Sequence, residues 1–126
     1  MISKINILIV DDNPAVRKMT RFYLQDMANE IRECEDGADA FMAYADFRPD
    51  WVLMDWQMKR MDGLTAARKI ISGYPNAKIV MFTQYNDAEL RAAADEAGIY
   101  GFVSKDDLME LRKLLTNLHE EVTVSL

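Results

Sequence analysis

Trp51-Val52-Leu53-Met54-Asp55 decides how this chain is read. Four apolar residues run without polar alternation into a carboxylate. Such a run reads as a strand buried on both faces. A charge at its end sits at the lip of the core, half desolvated. Open α/β sheets keep their chemistry outside the carboxyl ends of their strands. Asp55 is therefore the first functional candidate.

The same pattern extends in both directions. Ile5 to Val10 is a buried strand ending in Asp11-Asp12. Asn13 and Pro14 start a helix as cap and first-turn proline. Val16, Met19, Phe22, Tyr23 and Met27 recur at a helical interval and predict its core face. Ile31 to Cys34 predicts a short edge strand. Asp36-Gly37 turns into a helix with Ala40, Phe41, Tyr44 and Phe47 on one face. Beyond Asp55 a helix runs from about Asp62-Gly63 to Ile71, and Gly73 to Asn76 end it. Lys78 to Phe82 is a fourth strand, ending in Thr83. Asn86 or Asp87 caps an Ala-rich helix that Gly98 closes. Tyr100 to Ser104 is a fifth strand, followed by Lys105. Asp106 or Asp107 caps a last helix through Leu108, Leu111, Leu115 and Leu118; Val122 to Leu126 give no signal. Alternating strands and helices predict an α/β fold, a parallel sheet with helices on both faces and right-handed crossovers.

Composition narrows the function. The chain has 126 residues, 50% of them hydrophobic and 29% charged, which suits one compact core. A formal net charge of −6 argues against direct nucleic-acid contact, which needs clustered Lys and Arg. The single cysteine, Cys34, allows no internal disulfide and reads as a small core residue. No apolar run approaches the roughly 18 residues of a membrane span. No signal peptide is evident, so the expectation is cytoplasmic with no membrane partner.

In a parallel sheet the strand ends share one edge. Asp11, Asp12, Asp55, Thr83 and Lys105 can therefore converge. Three neighbouring carboxylates raise one another's pKa unless protonated or bound to a cation. Hard oxygen ligands at this density suit Mg²⁺. With Lys105 and the Thr83 hydroxyl, the site would favour a phosphoryl group.

This set resembles the receiver domain of two-component response regulators. Asp55-Trp56-Gln57-Met58 with Met61-Asp62-Gly63 is similar to the family's phosphorylation loop, and Ala97 to Lys105 to its fifth-strand segment. The resemblance covers nearly the whole chain. It implies a flavodoxin-like doubly wound sandwich with a five-stranded sheet in the order 2-1-3-4-5. It implies a phosphorylation switch that acts catalytically only on its own phosphorylation and dephosphorylation. Asp55 would accept a phosphoryl group from a phosphohistidine. Asp12 would bind Mg²⁺ directly and Asp11 mainly through water, with the Gln57 backbone carbonyl as a further ligand. Lys105 would pair with a phosphoryl oxygen. Thr83 would swing in to the phosphate, Phe102 would rotate into the space it leaves, and the face of helix four, strand five and helix five would repack. The implied partners are a sensor histidine kinase or phosphotransfer protein and, downstream, a protein target or a C-terminal DNA-binding effector. Family members often dimerise through helices four and five, and a phosphorylation-linked dimer is left open, since no unambiguous apolar patch is legible there. The expectation is one receiver domain over 1–126, without an effector domain.

The sequence also departs from the family pattern. Lys59 stands where proline is usual, so the loop is expected to be looser, and Lys59-Arg60 brings two cations near the site. Asp106 follows Lys105 where proline is usual, which disfavours a cis bond there and is similar to receivers found in front of helix-turn-helix domains. Gln84 occupies a position where the family prefers a small residue, and is expected to obstruct phosphoryl access. A phosphate-ester hydrolase with Asp55 as nucleophile is an alternative, but Gln57 replaces the aspartate such enzymes use as general acid. An inactive docking receiver is another. His119 reads as a surface residue and Asp62 as a helix cap.

Overall fold

The structure is a computed structural model; it describes residues 4–124, with side chains through residue 116. Five strands, β1 (Ile5–Val10), β2 (Ala28–Cys34), β3 (Trp51–Met54), β4 (Ile79–Thr83) and β5 (Gly101–Ser104), form one sheet in the order β2-β1-β3-β4-β5. Every neighbouring pair is parallel. Five helices connect or follow them: α1 (Pro14–Leu24), α2 (Ala40–Phe47), α3 (Gly63–Gly73), α4 (Ala88–Glu96) and α5 (Leu108–Val124). This is the expected doubly wound architecture. Leu118 and His119 lie outside the described side chains.

Strand residues alternate between two apolar layers. Leu8, Val10, Val52, Met54, Ile79 and Met81 face one side, where Ala40 and Tyr44 of α2 and Ala66, Ala67 and Ile70 of α3 cover them. Ile7, Ile9, Trp51, Leu53, Val80 and Val103 face the other, under Leu24 of α1 and Leu111 and Leu115 of α5. The three central strands are apolar at nearly every inner position, Asn6 of β1 excepted, because both faces of each are covered.

Helix starts follow side-chain chemistry. Asn13 accepts from the amides of Ala15 and Val16, with Pro14 opening the helix. Asp62 caps α3 through Thr65 N, Asp87 caps α4 through Glu89 N, and Asp107 accepts from Glu110 N at the start of α5. Gly98, at φ +87°, supplies the left-handed turn after α4 that a side chain would disfavour.

Three expectations need correction. The core face of α1 is Thr20 and Leu24, with Val16 and Tyr23 half-buried; Met19 and Phe22 point outward, Phe22 at 73% exposure. Period alone could not choose between two apolar stripes on one helix, and a buried Thr20 whose hydroxyl donates to Val16 O disguised the true one. Met27 is buried but follows the helix end. Strand β2 starts at Ala28 rather than Ile31, because pairing with β1 extends it through polar residues on the exposed edge. Asp36-Gly37 leads first into a 3₁₀ turn, Gly37–Asp39, before α2 begins.

Candidate functional site

The sheet ladder itself places the site. Its hydrogen bonds continue one residue beyond the strands. Asp11 N donates to Cys34 O at 3.1 Å, Asp55 N to Val10 O at 2.9 Å, and Lys105 N to Thr83 O at 3.1 Å. Each of these side chains thus leaves the sheet from a backbone fixed by its neighbour strand.

Their side chains meet. Lys105 Nζ lies 2.8 Å from Asp11 Oδ2 and 3.2 Å from Asp55 Oδ2. The other oxygens are taken locally: Asp11 Oδ1 accepts from Asn13 N at 2.9 Å, and Asp55 Oδ1 from Trp56 N at 2.9 Å. Asp11 and Asp55 are buried, at 2% and 5% exposure, while Asp12 is exposed. One carboxylate oxygen from each of the three aspartates lies within 4.8 Å of the others. The cleft over them, about 370 Å³, is lined also by Gln57, Lys59, Gln84 and Tyr85.

The electrostatics are unbalanced. Burial, and then the neighbouring Asp11 charge, raise the Asp55 pKa above the usual carboxylate value, although Lys105 opposes them. Burial alone would lower the Lys105 pKa, but its bonds to Asp11 and Asp55 outweigh that and raise it. One ammonium thus bridges two buried carboxylates with the exposed Asp12 beside them, a cluster of hard oxygens that could hold a divalent cation.

Thr83 is buried at 1% exposure, and its Oγ1 accepts from Tyr85 N at 3.3 Å, which leaves the hydroxyl proton free to donate. Phe102 is half-buried on β5, with the Arg91 guanidinium 4.5 Å above its ring. Gln57 is exposed beside the cleft and Gln84 lines it. Of the two extra cations, Lys59 lines the cleft, whereas Arg60 turns away to Asp39 at 2.7 Å. Peptide bonds are trans throughout the described residues, including the one before Asp106.

Two residues escaped the sequence reading. Tyr85 stacks edge-on against Trp56 at 5.2 Å, and its hydroxyl donates to Gln57 Oε1 at 2.7 Å across the cleft mouth. Asp36 is buried at 3% exposure and holds the loop after Asp55. A tyrosine in a loop carries no spacing signal. An Asp-Gly pair reads first as a turn, which hid the second use of its carboxylate.

The family model for the response regulator receiver domain matches residues 7–116. The chain belongs to this family. A crystal structure of a LuxR-family two-component response regulator from Aurantimonas sp. SI85-9A1 superposes on this receiver domain with a TM-score of 0.86 at 30% identity, covering 94% of this chain and 87% of that one. The chemotaxis protein CheY4 of Vibrio cholerae superposes at 0.82 with 26% identity, over 91% and 98% of the two chains. The transcriptional regulatory protein YhcZ of Bacillus subtilis is 37% identical over 102 residues, 79% of this chain and 48% of that protein. The receiver domain thus spans about half the length of that curated relative. No helix among the described residues is long and apolar enough to cross a membrane.

Proposed function

We propose that this receiver domain is a phosphorylation switch with Asp55 as acceptor. The observation that carries this reading is the single lysine bridging two buried aspartates at the carboxyl edge of the sheet, with Asp12 beside them. Lys105 holds Asp55 Oδ2 at the cleft floor. That oxygen attacks phosphorus of a phosphohistidine; the new O–P bond forms as the P–N bond breaks, and the electron pair leaves on the imidazole. Lys105 then follows the charge, pairing with a phosphoryl oxygen as a point charge. The Thr83 hydroxyl donates to another.

Asp11, Asp12, Asp55 and the Gln57 carbonyl would hold Mg²⁺, which would supply positive charge to offset that of the phosphoryl oxygens. The donor set fits: every group is a hard oxygen, and three of the four are carboxylates. Hydrolysis of the acyl phosphate regenerates the carboxylate: water attacks phosphorus, the bond from phosphorus to the Asp55 oxygen breaks, and inorganic phosphate leaves. Gln57 lacks the acidic proton that a phosphate-ester hydrolase would draw from this position.

The switch reaches outward through Thr83. Its movement toward the phosphoryl group frees space for Phe102, now capped by Arg91. A hydrogen bond to a charged group is worth about 1.5–3 kcal/mol, and a tenfold shift in a two-state balance needs only about 1.4 kcal/mol. Phosphoryl donors are a sensor histidine kinase or phosphotransfer protein in the cytoplasm. The transcriptional regulator among the relatives supports output through a DNA-binding effector, with a stand-alone domain over 1–126 acting on a protein target as the other form. The face of α4, β5 and α5 is the surface that changes, and dimerisation there on phosphorylation follows the same logic.

Trp56, directly after Asp55 and half-exposed, reports on the site. Its emission is expected to change as Mg²⁺ is added and to saturate. No change up to concentrations on the order of ten millimolar contradicts the metal site.

A further inference from the structure

The loop from Trp56 to Asp62 lacks the proline usual in its family, yet it is tethered twice. At one end Gly63 N donates to Trp56 O at 2.6 Å. A Cβ on Gly63 would overlap the Asp55 carbonyl, so only glycine permits this closure. At the other end the loop is held from outside its own segment. Asp36 Oδ2 accepts from Arg60 N at 2.9 Å, and Asp36 Oδ1 accepts from Met61 N at 3.1 Å. The same Oδ1 accepts from Ala38 N at 2.9 Å, which fixes the carboxylate on its own turn.

The two loops are in close contact. A Cβ on Gly37 would lie 2.6 Å from Met61 O. Asp36 is a buried charge with three backbone donors and, among the described residues, no ion pair on its oxygens. A small pocket of about 240 Å³, lined by Asp36, Asp12, Glu35, Lys59 and Arg60, shares Asp12 and Lys59 with the main cleft.

We propose that Asp36 is a positioning residue for the phosphoryl-accepting site: its carboxylate fixes the backbone of residues 57–61 and so aims the Gln57 carbonyl at the cation. This rests on the function proposed above and adds to it the group that orders the loop. Only Gln57, Met58 and Lys59 lie between the two tethers, so their backbone has little freedom while both hold. The carboxylate thus supplies, from the turn after β2, the stiffness that a proline would supply from within the loop.

The test is a Mg²⁺ titration of the folded chain, read by Trp56 emission, on the parent and three variants. Asp36→Asn keeps the shape but sets an amide N–H₂ against the Arg60 N–H. It is expected to raise the Mg²⁺ dissociation constant about tenfold, the scale on which groups that orient a metal ligand act. Phosphoryl transfer at saturating Mg²⁺ is expected to stay within about twofold, because bound cation reorders the loop. Adding Lys59→Pro to Asp36→Asn is expected to restore the affinity, which a general loss of stability would not allow. Arg60→Ala, which removes only the exposed pair with Asp39, is expected to leave the affinity unchanged.

An Asp36→Asn protein that melts cooperatively and binds Mg²⁺ as the parent does overturns the inference alone. A parent that gives no Mg²⁺ response overturns it together with the site reading. Amide hydrogen exchange on the unmodified, Mg²⁺-free chain decides independently of any variant's folding: Arg60 and Met61 amides are expected to exchange more slowly than those of Met58 and Lys59, and equal rates overturn the proposal.

Discussion

Asp36 and Asp55 are both buried aspartates at the carboxyl ends of parallel strands, yet they behave in opposite ways. Asp36 accepts three backbone N–H bonds, and these outweigh its burial and hold its pKa below the usual value. Asp55 accepts one, faces a second buried carboxylate, and has its pKa raised. Surface exposure does not separate them, at 3% and 5%. Asp55 is packed more deeply, so burial is the largest cause of its raised pKa; the Asp11 charge adds to it, and fewer backbone donors oppose it. A carboxylate met by three backbone donors anchors structure. One left short of partners, next to a lysine and open to a cleft, is ready for a cation and an electrophile.

The comparison can be broken in four ways, from the largest expected effect to the smallest. Lys105→Met removes the cation shared by Asp11 and Asp55. Leaving two buried carboxylates uncompensated is expected to cost about 3 kcal/mol at neutral pH, measured by urea unfolding. Acidification should relieve much of that loss; a loss independent of pH would mean that packing, not charge, is what the lysine supplies.

Asp36→Ala strips the acceptor from three amides and is expected to cost about 2 kcal/mol. The sign against pH is fixed by the lowered pKa. The contribution of Asp36 is fully present above the unfolded carboxylate value of 3.8 and is lost as pH falls through the lower folded value. The gap between parent and variant should therefore close only below about pH 4.

Asp55→Asn is expected to act in the other direction and stabilise the Mg²⁺-free protein by about 1 kcal/mol at pH 7. Asp55 has a raised pKa, so its ionisation opposes folding above that value. The gain should shrink as pH falls toward 3.8, where the parent's own Asp55 is protonated. Equal stabilities at pH 7 would show that Lys105 already compensates both aspartates.

Gln84→Ala should have the smallest effect. Gln84 lines the cleft without a bond that holds it there among the described residues. Its removal is expected to speed phosphorylation by a small phosphodonor about two- to threefold, a barrier change of about 0.5 kcal/mol. An unchanged rate would mean that the side chain already swings clear.

The sequence made the ladder of strands legible because three central strands are covered on both faces and are therefore almost wholly apolar, Asn6 and the terminal Thr83 being the exceptions. Ile5–Val10 and Trp51–Met54 have the expected bounds for that reason. Asp11, Asp55, Thr83 and Lys105 could be placed together because parallel strands share one edge. Strand β2 was harder: its exposed positions are polar, and only pairing with β1 shows that Ala28 to Glu30 belong to it. The outward stripe of Met19 and Phe22 misled because periodicity reports that a helix has an apolar face, not which of two faces is covered. Asp36 and Tyr85 were hidden for a further reason. Their partners are backbone amides and a glutamine from a segment 24 to 28 residues away, and such contacts leave no local pattern.

The most direct test of the account is transfer of a phosphoryl group to Asp55. Incubation of the chain with a small phosphodonor and Mg²⁺, followed by mass spectrometry of the intact protein and its peptides, is expected to show one added phosphoryl group, on the peptide holding Asp55. Chelating the Mg²⁺ or substituting Asp55→Asn should abolish it. Labelling that persists undiminished in Asp55→Asn, while Asp11→Ala loses it, would contradict the assignment of Asp55 as acceptor.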